Sequence, residues 1–360
     1  MGGAMATRLE TTTLGSFPKP DYVPVSDWFD ASRRQGTMNA PDTTLAYSSF
    51  VRENSDEAEA LFVRAAREVI GIQLRAGISI PTDGEVRREN YIHYHCRHLE
   101  GFDFERLEHR VLRDGAYETD LPAIRAEIRH PGRPYAPHDY LAAQQVSPRP
   151  VKFTLPGPLT VMDTTADCFY DDRPRLNAAI AETVNREVLA LVEAGCTHIQ
   201  IDEPLFARQV DDALSFGMEG IERCFHGVPE GVTRIVHMCC GYPDHLDDTD
   251  YKKADPDSYH RLAGAIDAAG FDQVSIEDAH CCNDLSLLDK LTKKTVIFGA
   301  VAIASSRVET ADEIESRLRQ ALEHIDRDRL VVAPDCGLGF LTAELAERKL
   351  SAMCQAAARI

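Results

Sequence analysis

VKFTLPGPLTVMDTTADCFYDDRPRLNAAIAETVNREVLALVEAGCTHIQIDEPL, residues 151–205, decides the fold. Two short apolar runs, 151–158 and 197–205, flank a stretch over 176–194 whose apolar residues recur at three- and four-residue steps. Strand, helix, strand in that order is a βαβ unit, and its crossover makes the two strands parallel. Working outward, the alternation recurs. Toward the C-terminus come TRIVHMCC (233–240), QVSIEDA (273–279), TVIFGAVAI (295–303) and RLVVAPDCGL (329–338), each trailed by a helical pattern. Toward the N-terminus lie TTTLGSF (11–17), a helix over 57–77 stopped by Gly77, and ISIPTDGE (78–85). Most of these runs are apolar on both faces, as a buried parallel sheet demands.

Eight such units close into a (β/α)8 barrel, an α/β fold whose chemistry sits at the carboxyl ends of its strands. A doubly wound open sheet competes, but no Gly-rich phosphate loop opens any of the helices. The spacing therefore predicts one barrel domain over 11–360 behind a short tail, 1–10. Residues 87–149, rich in Arg, His, Tyr and Pro, break the repeat. They read as an insertion after the second strand, a hairpin plus a loop over one side of the barrel mouth.

Composition narrows the function. A net charge of −19 argues against nucleic acid or an anionic membrane as partner, since phosphate binding needs clustered Lys and Arg. No run of about 18 apolar residues is available to span a membrane. The expectation is a cytoplasmic protein with a small-molecule site. Its ten cysteines then read as free thiols rather than as a disulfide framework, with Cys196, Cys224 and Cys354 as packing residues.

Polar and sulfur-bearing residues collect where the strands stop: Ser16; Asp83 and Glu85; Asp202 and Glu203; His237, Cys239 and Cys240; Glu277 and Asp278; Asp335 and Cys336. Strand ends converge on one face of a barrel, so these groups become neighbours. One His, one or two Cys, one Glu and another Cys make a tetrahedral zinc site. His237 and Cys239, two apart on a strand, point to the same face. Cys240 would face the other way, and Cys281 and Cys282 lie past their strand, so all three are read as non-ligands.

The ordered strings TTTLGSFPKP, DGEVRREN, IQIDEP, VHMCC, SIED and APDCGLG resemble the catalytic C-terminal barrel of cobalamin-independent methionine synthase, in the superfamily shared with uroporphyrinogen decarboxylase. The resemblance spans essentially the whole chain, and its length fits the single-barrel core members. It implies zinc held by His237, Cys239, Glu277 and Cys336, with Ser16, Glu85 and Asp202 binding the amino-acid part of homocysteine. It makes Glu277, displaced as the thiol enters, and Asp202 the catalytic carboxylates. Zinc would keep the substrate thiol deprotonated for attack on a methyl donor, giving methionine.

Two departures bear on the donor, methyl-folate or a methylcorrinoid. Ala302 and Ala304 stand where the family has an aspartate–histidine pair at the end of the seventh strand, and a pterin leaves poorly unless protonated. The Trp expected after PGPLTV to stack on the pterin is absent; the only Trp is Trp28, leaving Phe169 or Tyr170 as substitutes. Rival readings are alkyl transfer to a sulfonate thiol, as in epoxyalkane–coenzyme M transferase, with Arg87, Arg88 and Arg97 as its cations, and a degenerate zinc- or thiol-binding protein.

Overall fold

The computed structural model describes residues 8–23, 25, 46–47, 49–50, 55–112, 117–243, 245–248 and 251–360; Trp28 and most of the N-terminal tail lie outside them. The barrel strands are β1 (Glu10–Thr11), β4 (Phe153–Pro156), β6 (His198–Asp202), β7 (Thr233–His237), β8 (Gln273–Ile276), β9 (Thr295–Gly299) and β10 (Leu330–Ala333), after the insertion strands β2 (Glu100–Leu112) and β3 (Tyr117–Arg129) and the short β5 (Ala166–Asp167). The seven barrel strands form one parallel sheet in the order β1-β10-β9-β8-β7-β6-β4. Residues 78–82 close the ring through parallel bridges Thr12↔Ile80 and Thr82↔Lys152. The expected (β/α)8 arrangement is therefore present, its second strand joined by single bridges rather than a full ladder.

Side-chain alternation sorts the strands into an outer and an inner set. Leu14, Ile235, Ile297, Val331 and Ala333 pack together inside the ring. Gln200 pairs in register with Ile235 and with Thr154, and Ser275 pairs with Ile297, so these polar residues also point inward. Lys152, two residues before Thr154, shares that face and is fully buried. The outer set packs against the surrounding helices. Helix Ser55–Ala76 stops at Gly77, whose φ of +105° disfavours any other residue. Helix Arg173–Glu193 starts on Asp172, whose carboxylate accepts from Arg175 N, and helix Ala311–Ala321 starts on a Thr310/Glu313 capping box.

Residues 87–149 contain the expected hairpin, β2 paired antiparallel with β3, with β5 added parallel to β3. They also contain two helices that the sequence reading left as loop, Tyr91–Cys96 and Ala136–Gln144. The first is buried from Ile92 to Cys96 on every side and so has no amphipathic period. The second buries Ala136, Asp139, Tyr140 and Ala143, a helical stripe hidden by its aspartate. Asp139 accepts from the Tyr94 hydroxyl at 2.7 Å and lies 3.6 Å from Arg87.

Candidate metal centre and active site

The chain leaves β7 at His237 and loses strand geometry at once, yet Cys239 and Cys240 still fall in different groups. The ligand atoms of His237, Cys239 and Cys336 lie within 4.8 Å of one another, and a second group, Cys240, Glu277 and Cys281, meets the same limit. His237 Nε2 is 3.2 Å from Cys336 Sγ, while its Nδ1 is hydrogen-bonded to Ser275 Oγ, which orients the ring. Glu277 Oε2 accepts from Cys240 N at 2.8 Å, and Glu277 Oε1 is buried with no hydrogen-bond partner. Of the four residues expected to ligate, three are thus gathered together, and the fourth stands in the adjoining group with an oxygen to spare.

This donor set fits a zinc ion. Tetrahedral zinc takes sulfur at about 2.3 Å and nitrogen at about 2.0–2.1 Å, which puts neighbouring donors about 3.5–3.8 Å apart. Two soft thiols, an imidazole fixed through its other nitrogen and, in the adjoining group, a carboxylate oxygen without a partner supply the ligand types zinc prefers, with the first three donors within 4.8 Å of one another. The electrostatics agree. Hydrogen bonding from Cys336 and His237 holds the Cys239 thiol well below its ordinary range, and Cys239 in turn pushes Cys336 up. Burial and the nearby Cys239 raise Glu277 to about 7.

Several groups brace these donors. Asp335 Oδ1 accepts from Asp278 N at 3.0 Å and Ala279 N at 2.9 Å, and its Oδ2 accepts from His280 N at 2.7 Å. This carboxylate, next to Cys336, fixes the loop that carries Glu277. Tyr259 donates its hydroxyl proton to Met238 O at 3.0 Å and accepts from Glu277 N at 3.1 Å, tying the ends of β7 and β8.

Ser16, Glu85 and Asp202 ring the same face. Glu85, in the left-handed region at φ +56°, accepts from Thr154 Oγ1 at 3.0 Å and lies 3.4 Å from Arg88. Burial raises its pKa, with Arg88 opposing. Asp202 is buried, accepts from Gln200 Nε2 at 2.6 Å, and is pushed up to about 7 by burial. Ser16 packs against Gly337, where any side chain would collide with its hydroxyl, and Tyr242 donates to Gly337 O at 2.7 Å. Glu203, the other half of the IDE motif, has separate work: its carboxylate accepts from Leu159 N, Thr160 N and Thr160 Oγ1, capping helix Pro158–Asp163.

The sequence reading missed Tyr91, Tyr242 and Lys152. The Tyr91 phenol is raised well above its usual value by burial and by Asp202, Cys239, Cys336 and Glu85, so the insertion reaches the centre. The Asn90 cap that closes DGEVRREN, accepting from Ile92 N and His93 N, is the signal that a helix starts there. Lys152 Nζ is buried without a hydrogen-bond partner, and burial pulls its pKa down to about 7 against the pull of Asp202.

Where the aspartate–histidine pair was expected, Ala302 N donates to Glu309 Oε1 at 3.0 Å and Ala302 O accepts from Lys349 Nζ at 3.1 Å. His280 Nε2 accepts from Ile303 N at 3.0 Å and Ala304 N at 3.3 Å, and burial with Lys253 and Lys349 nearby keeps this imidazole neutral, near 4. Tyr170 is buried and accepts from Ile128 N at 2.9 Å, so it anchors the hairpin, while Phe169 is exposed. Arg87, Arg88 and Arg97 are engaged by Glu59 and Asp139, by Asp83 and Glu85, and by Glu89 respectively.

Residues 9–359 match the family model described as "Cobalamin-independent synthase, Catalytic domain". The chain belongs to the cobalamin-independent methionine synthase catalytic-domain family. Its similarity to a methionine synthase of Saccharolobus solfataricus is 28% identity over 350 residues, 96% of this chain and 93% of the relative. A methionine synthase of Thermococcus kodakarensis is 28% identical over 344 residues, 95% and 90% of the two chains. Among solved structures, a B12-independent methionine synthase from Shewanella sp. W3-18-1 in complex with selenomethionine superposes with TM-score 0.81 at 28% identity, covering 98% of this chain and 97% of that one. Among the described residues of this family member, no helix is long and apolar enough to cross a membrane.

Proposed function

We propose that this synthase-family barrel transfers a methyl group to the sulfur of homocysteine, giving methionine, at a zinc ion held by His237, Cys239, Cys336 and Glu277. The observation that carries the reading is a soft donor cluster, His237, Cys239 and Cys336 within 4.8 Å, that shares its barrel face with the carboxylates of Glu85 and Asp202. Bound zinc supplies a Lewis acid that keeps a substrate thiol as thiolate at neutral pH. The chain's own groups do the rest. Asp202 and Glu85 hold the α-ammonium, and Ser16 with the backbone around Gly337 holds the α-carboxylate. Ser275 keeps His237 in one orientation, and Glu277, with one oxygen unpartnered, is the ligand able to give way as the thiol enters.

The donor is one whose departing group needs no proton at 302 or 304. Ala302 and Ala304 carry no acid, and the imidazole at that point, His280, accepts from two backbone N–H groups. Engagement of Arg87, Arg88 and Arg97 by carboxylates leaves the sulfonate-thiol reading without the cations it relied on.

Metal analysis of the purified protein should return about one zinc per chain, and Cys336→Ser should lose most of it. Given homocysteine, the protein should form methionine faster with methylcobalamin than with 5-methyltetrahydropteroylglutamate, by about tenfold or more. Equal or faster turnover of the methylfolate would overturn the donor assignment. Tight homocysteine binding with no turnover of any donor would instead favour a thiol-binding protein, and zinc retained in full by Cys336→Ser would sink the ligand set.

A further inference from the structure

Tyr242 stands on the loop after β7, three residues beyond Cys239, and the chain around it holds it in place. Gly241 runs so close to a crossing segment that a Cβ there would lie 2.9 Å from Lys252 O. The same segment holds Cys240, because Ala254 N donates to Cys240 O at 2.6 Å. The Tyr242 ring lies against Phe340, with centroids 5.2 Å apart, and its hydroxyl donates to Gly337 O at 2.7 Å.

That acceptor is well placed. Gly337 follows Cys336 directly and touches Ser16: any side chain at 337 would collide with Ser16 Oγ, and Leu338 N donates to Ser16 O at 2.7 Å. One phenol therefore ties the loop bearing Cys239 to the loop bearing Cys336, at the point where the latter meets the turn after β1. A loop carbonyl has no ladder to hold it, so a side-chain donor decides which way it points. The Ser16 hydroxyl in turn bonds to the Tyr242 oxygen. A ligand carboxylate, a stronger acceptor, takes the Ser16 proton and leaves the bond from Tyr242 to Gly337 O in place.

We propose that Tyr242 is a positioning residue that fixes the turn taking the α-carboxylate relative to the sulfur ligands, and so selects thiols and thioethers that carry a carboxylate. The inference rests on the methyl-transfer reading of this site. Tyr242 acts through the Gly337 carbonyl and not by touching the ligand's sulfur. Without its hydroxyl that carbonyl loses its donor and the 336–338 turn is free to move off Ser16. The ammonium contacts at Glu85 and Asp202 lie on other loops and remain.

The test is calorimetric titration of the zinc-loaded protein with methionine and with 3-(methylthio)propylamine, the same molecule without its carboxylate. Two variants are compared with the parent: Tyr242→Phe, and one in which Tyr242 is replaced by 4-aminophenylalanine. The parent should bind methionine at least about tenfold more tightly than the amine. Tyr242→Phe should lose about tenfold on methionine and less than about twofold on the amine, a difference that general damage to the fold would not produce. The 4-aminophenylalanine variant, whose ring N–H can donate to Gly337 O, should recover most of the loss. Equal losses on both ligands, unchanged methionine affinity in Tyr242→Phe, or no recovery with the amino ring would overturn the proposal. Zinc lost from Tyr242→Phe would place the residue in metal binding and overturn it as well. A parent that binds neither ligand counts against the methyl-transfer reading itself, whereas a parent that binds the two equally overturns carboxylate selection alone.

Discussion

Lys152 is the residue whose burial is hardest to explain by packing. Its ammonium sits inside the barrel with no hydrogen-bond partner, drawn down to about 7 by burial, while Asp202 is driven up to about 7 for the same reason. Each opposes the other's shift through its charge, so Lys152 favours the ionised form of Asp202. On the proposed homocysteine reading, Lys152 is then a positioning residue that favours the ionised carboxylate an α-ammonium group needs. Lys152→Met removes a buried ammonium without leaving a hole, and the fold should be unharmed or stabilised by about 1 kcal/mol. Methionine, which lacks a titrating thiol, should nevertheless bind this variant about tenfold more weakly at pH 7. The sign in pH follows: the ligand's ammonium favours ionised Asp202, so parent affinity falls as pH drops through about 7, and in Lys152→Met the midpoint moves upward. Unchanged affinity and an unchanged midpoint would show that Lys152 plays no part in holding the ligand. The IDE motif marked this place in the sequence, but Lys152 in VKFTLPGP looked like the start of a strand and nothing more. A polar residue inside a barrel is recognisable only once register assigns its face.

At the scale of elements, the eight strands were legible because buried parallel strands are short apolar runs between helices, and each run contained its strand within a few residues. The turns beyond them were less so. Strand alternation extended past His237 separated Cys239 from Cys240, as the structure also does, but the backbone there has left the sheet, and alternation gave no sign that Cys240 meets Glu277 and Cys281. Helices Tyr91–Cys96 and Ala136–Gln144 were unreadable because one is buried all round and the other buries an aspartate. The loop after β8 shows what holds such turns: Asp335, on the loop after β10, takes three backbone N–H groups from residues 278–280. Asp335→Ala should free that loop and with it Glu277. Loss of an outer partner of this kind weakens metal binding by about 10–100-fold, measurable by competition with a chromogenic chelator. Zinc affinity within twofold of the parent would mean that the loop holds Glu277 unaided.

For the whole molecule, a metal at this centre is a cross-link between elements far apart in sequence. His237 and Cys239 come from the end of β7, Glu277 from the end of β8 and Cys336 from the end of β10, so one ion would add a direct link between strand ends that Tyr259 and Asp335 already brace. Without it, the Cys239 thiol, the His237 imidazole and the Glu277 carboxylate stay buried beside the half-buried Cys336, with an oxygen of Glu277 unpaired. A ligand that binds only the folded chain stabilises it by about 4 kcal/mol when present at a thousand times its dissociation constant. Chelation should therefore lower the melting temperature by several degrees, and the loss should be uneven. Amide exchange should quicken at 238–243, 277–283 and 334–341, where the ligands and their braces sit. The hairpin of β2 and β3 is anchored elsewhere, by β5 and by the Tyr170 hydroxyl at Ile128 N, and should exchange as before. A melting temperature indifferent to chelation, or exchange that rises equally in the hairpin, would mean that the barrel's stability does not depend on an ion bridging these strand ends.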